Sequence, residues 1–206
     1  MGVLGRICFI TDRGLLKAED SLYEIVSIVL DSGVRWIQYR EKDKDRLSIF
    51  KEAVRLRQLT QKYNAALTIN DHSDIAEAVD ADGLHLGQED MPIKEAKRVV
   101  RERIIGISTH SLLEAIIAEK EGADYIGFGP IFETKTKDAG TPKGPESLRE
   151  IKRNVKIPVV AIGGIRLENI ASVFEAGADA VAVASGLIMD DMKKNIKSFT
   201  EIAGGL

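Results

Sequence analysis

The phrases EGADYIGFG (121–129) and AGADAVAVA (176–184) decide the fold, because each closes a helix-like run with Gly and then enters a short apolar strand through Ala-Asp. DADGLHLG (80–87) is a looser copy. A recurring helix-to-strand phrase marks a repeated βα unit, whose apolar strands must be covered by neighbouring helices. Working outward, ICFITD (7–12), RWIQYRE (35–41), AALTIND (65–71), DGLHLG (82–87), RIIGIST (103–109), YIGFGP (125–130), PVVAIGG (158–164) and AVAVAS (180–185) read as eight strands. Between them, segments such as SLYEIVSIVLDSG, RLSIFKEAVRLRQLTQKY and SLLEAIIAEKEG carry helical apolar spacing, and the tail DDMKKNIKSFTEIA supplies an eighth helix. Eight parallel strands and eight helices in 206 residues favour an α/β fold of the (β/α)8 TIM-barrel type over an open doubly wound sheet. No linker interrupts the pattern, so one domain over 1–206 is expected.

Composition narrows the function classes. A net charge of -3, from 29 basic and 32 acidic residues, gives no general attraction to nucleic acid or an anionic membrane, so neither is expected as a partner. The one cysteine, Cys8, sits inside ICFI and reads as buried filler in a reducing compartment. MGVLGRICFITDR lacks the features of a signal peptide, and no apolar run approaches about 18 residues, so a cytoplasmic location is expected. A homo-oligomer is left open.

In a barrel of this type the active site lies at the C-terminal strand ends and the loops that follow. The polar residues there are QYREK (38–42), IND (69–71), GQED (87–90), STH (108–110), the TKTK stretch (134–137), IGG (162–164) and AS (184–185). Gly163, Gly164 and Gly186 stand where backbone N–H groups can approach a phosphate, and equally where a tight turn needs glycine. Asp71 and Asp90 follow adjacent strands and could share a Mg2+ ion, which takes only one or two protein carboxylates. Each could instead be a helix cap or a solvated loop residue. Arg40, Lys42, Lys135 and Lys137 could neutralise a diphosphate, or could be solvated charge. His85 alternates with Leu84 and Leu86 and points into the barrel, either packed or catalytic. His72 and His110 have no partner at zinc-ligand spacing.

ITDR (10–13), QYREK, IND, ADGLHLGQEDMP (81–92), IIGISTHSLLEA (104–115), GADYIGFGPIF (122–132), TKTK, IPVVAIGGI (157–165) and AGADAVAVAS (176–185) follow in that order. Together they resemble the thiamine-phosphate synthase family, also called thiamine-phosphate pyrophosphorylase, almost from end to end. The resemblance implies a transferase of thiamine biosynthesis that joins hydroxymethylpyrimidine diphosphate to a thiazole phosphate, plain or carboxylated, and releases diphosphate. It places Gln38, Tyr39, Arg40, Glu41, Lys42, Asn70, Ser108 and Lys137 on the pyrimidine diphosphate, with Arg40, Lys42, Ser108 and Lys137 as the catalytic group. Thr134, Lys135, Thr136, Gly164, Ala184 and Ser185 fall on the thiazole phosphate, and Asp71 and Asp90 on Mg2+. Two positions depart from the family: Tyr39 replaces the commoner leucine, and Ala184 a larger aliphatic residue. The rival readings are a thiazole tautomerase of the same superfamily, which carries a histidine where this chain has Pro130, and a non-catalytic phosphate-ligand sensor.

Overall fold

The computed structural model describes residues 4–15, 21–134, 140–188 and 191–205. Its strands are β1 (Ile7–Ile10), β2 (Trp36–Tyr39), β3 (Ala66–Asn70), β4 (Gly83–Leu86), β5 (Ile104–Thr109), β6 (Tyr125–Phe128), β7 (Val159–Ile162) and β8 (Ala180–Val183). They pair in parallel and in chain order, and β8 returns to β1 through Cys8↔Ala182, closing the barrel. The helices are α1 (Leu22–Asp31), α2 (Arg46–Lys62), α3 (Ser73–Ala78), α4 (Ile93–Val100), α5 (Leu112–Glu121), α6 (Gly144–Asn154), α7 (Ile170–Glu175), a short extra α8 (Ser185–Ile188) and α9 (Met192–Gly205).

The recurring Asp of the opening phrases has one job in all three copies. Asp82, Asp124 and Asp179 stand just before β4, β6 and β8. Each carboxylate accepts the backbone N–H of Leu67, Ile105 or Val159 on the preceding strand, at 2.8 Å in every case. Each Asp N–H in turn donates to the carbonyl of the same residue. The repeat is therefore a clamp that sets neighbouring strands in register at the N-terminal end of the barrel. Helix ends follow equally local rules. Ser111 accepts the Glu114 N–H to start α5, and Gly122, at φ +90°, ends it in the left-handed conformation.

Two cores result. One lies between the strands and the helices, where Val29, Leu30, Leu56, Leu148 and Phe199 are fully enclosed. The other fills the barrel with Cys8, Ile10, Trp36, Ala66, Tyr125, Val160, Ala180 and Ala182. Trp36 donates to Thr68 Oγ1 at 2.9 Å and meets the Tyr125 ring edge-to-face at 5.4 Å. Cys8 is the filler expected of it, its thiol pushed up by burial. With the lower interior packed, a ligand can enter the barrel interior from the upper end.

β2 ends at Tyr39, two residues short of the predicted Glu41. The Thr11 hydroxyl is the reason: it accepts from the Arg40 N–H at 2.9 Å and donates to the Arg40 carbonyl at 3.1 Å. Those groups are thereby taken from the ladder, and the chain is released into the loop that carries Arg40 and Lys42.

Candidate active site

Strand alternation sorts the QYREK block. Gln38 points into the barrel, where it lines a cavity of about 20 Å3 with His85, Ser108 and Tyr125. Tyr39 points outward and is buried, its hydroxyl donating to Glu52 Oε2 of α2 at 2.7 Å. Glu41 is also buried, accepting from Arg13 Nε and from the Asp43 N–H, both at 2.9 Å. The side chains of Tyr39 and Glu41 thus anchor the β2 loop, and what they can offer the mouth comes from their backbone. The leucine-to-tyrosine departure has a physical role: the phenol reaches a carboxylate that leucine could not.

Glu52 gathers Arg13, Lys44 and Tyr39 around one carboxylate. Burial pulls its pKa upward, but hydrogen bonds from Lys44, Tyr39 and Arg13 outweigh that and hold it below the usual carboxylate value. A depressed folded pKa gives stability that is present above the unfolded value of about 4.3 and is lost as pH falls through the folded value. Glu52→Gln is therefore expected to lower Tm at pH 7 and to converge with the parent once the pH has fallen below the folded value. Thermal melts across that range check it, and parallel curves would refute it.

Asp71 has φ +64°, and the His72 N–H donates to the Asn70 carbonyl at 2.8 Å, so Asp71 is the centre of a rare γ-turn. Asp90 follows β4, its Oδ2 accepting the Gly87 N–H at 2.6 Å. Neither is a helix cap. His72 precedes α3 and Pro92 precedes α4, both without a side-chain cap bond. The two carboxylates instead meet: burial, together with the Asp71 carboxylate, holds Asp90 above its ordinary pKa, against the pull of the Gly87 N–H and Lys42. Lys42 Nζ lies 2.5 Å from Asp71 Oδ2. Two facing carboxylates countered by one ammonium fit a divalent cation. Mg2+ takes only one or two protein carboxylates, and this pair supplies two.

Across the mouth, at the ends of β7 and β8, a second cavity of about 120 Å3 is lined by Asp12, Arg40, Thr134, Gly164, Ala184 and Ser185, among others. Gly164 has φ +65°, and a Cβ there would lie 2.4 Å from the Glu133 carbonyl oxygen, so the backbone needs glycine at this turn. α8 opens at Ser185, giving the cavity the short extra helix common at barrel phosphate sites. Among the described residues Arg40 is the cation lining it; Lys135, Thr136 and Lys137 lie outside the described residues. Asp12 was missed in the sequence reading, although its place at the end of ICFITD obeys the strand-end rule used for the others.

Between the two groups, at the barrel throat, His85 Nε2 lies 2.8 Å from Ser108 Oγ and His85 Nδ1 lies 2.9 Å from the Tyr125 hydroxyl. Burial pushes the His85 pKa down to about 4, only partly opposed by Asp90, so the ring is neutral near pH 7. Asn70, at the end of β3, is buried beside this throat strand. Of the residues singled out from sequence, the structure thus groups Lys42, Asp71 and Asp90; Arg40, Thr134, Gly164, Ala184 and Ser185; and Gln38 with Ser108.

Comparison with known proteins bears on this arrangement. Residues 7–187 match the family model for thiamine monophosphate synthase. The thiamine-phosphate synthase of Chloroflexus aurantiacus is 44% identical over 187 residues, covering 90% of this chain and 86% of that protein. That of Methanosarcina barkeri is 45% identical, covering 94% and 88%. The solved structure of thiamine phosphate pyrophosphorylase from Pyrococcus furiosus superposes with a TM-score of 0.90 at 42% identity, covering 98% of this chain and 96% of that one.

Proposed function

The chain belongs to the thiamine monophosphate synthase family, and from that premise we propose that its substrates are hydroxymethylpyrimidine diphosphate and a thiazole phosphate, with Mg2+ as cofactor. It is an enzyme, a transferase of thiamine biosynthesis that forms thiamine phosphate. The observation that carries the substrate assignment is the pair of anion-handling sites at one mouth, the Lys42–Asp71–Asp90 group and the Arg40–Gly164–Ser185 cavity. One suits a metal-bound diphosphate and the other a phosphate monoester.

Asp71 and Asp90 would hold Mg2+, which when bound supplies positive charge to a departing diphosphate. The residues of the chain do the rest. Lys42 and Ser108 offer a cation and a hydroxyl to the diphosphate side, while Gln38 at the throat offers a side-chain amide to the pyrimidine. Arg40, Gly164 and Ser185 fix the phosphate of the second substrate and so aim its ring nitrogen. The carbon–oxygen bond to diphosphate breaks with both electrons leaving on oxygen. The thiazole nitrogen lone pair then forms the new carbon–nitrogen bond, with no proton transferred and no protein nucleophile needed. Positioning and preorganised charge carry the rate.

Purified protein given both substrates and Mg2+ is expected to release thiamine phosphate and diphosphate in equal amounts, to stop on chelation, and to resume when Mg2+ is returned. Isomerisation of the thiazole alone would select a tautomerase, and ligand binding without turnover a sensor.

A further inference from the structure

We propose that His85 is a positioning residue: Tyr125 fixes its ring tautomer, so that its Nε2–H holds the Ser108 oxygen and leaves the Ser108 hydroxyl hydrogen free for substrate. This rests on the reading of Ser108 as a contact to the diphosphate substrate. The geometry comes from three adjacent strands. In the β4–β5–β6 register His85 stands beside Gly106, Gly106 beside Tyr125, and Ser108 beside Gly127. All face the barrel interior, and the two glycines give up the space the rings occupy. A Cβ at Gly106 would lie 2.0 Å from Tyr125 Cζ, and one at Gly127 would lie 3.2 Å from His85 Cε1. The Ser108 backbone is held as well, its carbonyl accepting from Gln88 Nε2 at 2.6 Å.

The direction of the chain of bonds follows from counting protons. Tyr125 is fully buried and keeps its proton, since burial raises its pKa well above the usual value. Its hydroxyl is shut off from solvent with His85 Nδ1 at 2.9 Å as its hydrogen-bond partner, so the Tyr125 O–H gives its hydrogen to that nitrogen. A neutral imidazole that accepts at Nδ1 must carry its hydrogen at Nε2. That hydrogen meets Ser108 Oγ at 2.8 Å, so the serine accepts inward and donates outward. With the opposite tautomer, Ser108 would donate to His85 and present only a lone pair to an anionic substrate, a repulsive arrangement. His85 thus acts through Ser108 without touching the reacting atoms.

Two measurements test this. Long-range 1H–15N spectra of the full chain, with His85 distinguished by loss of the His72 and His110 signals in His72→Gln and His110→Gln variants, are expected to give the Nε2–H tautomer. In Tyr125→Phe, which keeps the ring against Trp36, both tautomers are expected. Tyr125→Phe is also expected to lower kcat about tenfold with KM changed less than about twofold, and to have no further effect once Ser108→Ala is present. An Nδ1–H tautomer in the parent, or losses that multiply in the double variant, would overturn the proposal. Failure of the parent to make thiamine phosphate would instead overturn the substrate assignment, and the spectra would still decide the state of His85.

Discussion

Asp71→Asn is expected to lower kcat for thiamine phosphate formation about a thousandfold at saturating Mg2+, while Tm stays unchanged or rises slightly. The rate loss follows from the charge that Asp71 and Asp90 would fix beside the leaving group. Such metal-borne stabilisation is worth several kcal/mol, and about 4 kcal/mol is about a thousandfold. The stability expectation follows from three local facts. Asn tolerates the positive φ of the turn better than most residues, so the +64° conformation survives. Removing one carboxylate relieves the repulsion that adds to burial in lifting the Asp90 pKa. The lost pair with Lys42 involves a half-exposed ammonium, and such pairs contribute little. Asp74→Asn is the control: this carboxylate, on α3 and paired to Arg46, is exposed and should leave turnover alone. Full activity in Asp71→Asn, or a loss matched by unfolding, would remove the metal reading.

Gly106→Ala is expected to be the most damaging methyl in the barrel. Its Cβ would fall 2.0 Å from Tyr125 Cζ and 2.4 Å from both Cε atoms. The ring has nowhere to retreat, because Trp36 stands edge-on to it and His85 binds its hydroxyl. Overpacking of this kind costs about 1–3 kcal/mol. At the upper end, a chain of this size loses about 6–12 °C in Tm by calorimetry. Trimming the obstacle with Tyr125→Leu should make the pair less damaging than the sum of its members. Gly204→Ala, which meets nothing within 4 Å in α9, should leave Tm unchanged or raise it slightly.

The barrel was legible because short apolar runs alternating with helical periodicity leave few architectures open, and the strand-end rule then located most of the mouth. What the rule could not do was tell apart residues inside one motif. In QYREK the resemblance set all five positions on the pyrimidine diphosphate and singled out Arg40 and Lys42 as catalytic, without separating the side chains that face the mouth from those that do not. Period-two alternation, already visible in the strand, would have sent Tyr39 outward to Glu52 and kept Gln38 within. The partners of His85 were beyond reach for a different reason: Ser108 and Tyr125 lie 23 and 40 residues away, and only strand register brings them together. α8, at four residues, is too short to leave a periodic trace. The helix-cap alternative for Asp71 and Asp90 required the backbone itself to be ruled out.

The pairing of β1 with β8 has a consequence for the order in which the protein is made. Asp12 follows β1 and Ser185 follows β8, yet both line one cavity, at the seam where the ring shuts. On the ribosome β1 emerges first and must wait for nearly the whole chain before its last neighbour arrives. The Lys42–Asp71–Asp90 group, spread over β2 to β4, needs no such wait for its strands to be synthesised. The cavity proposed for the phosphate is thus the last part of the mouth whose strands are all made, and a phosphate ligand that occupied it would report that the ring has closed.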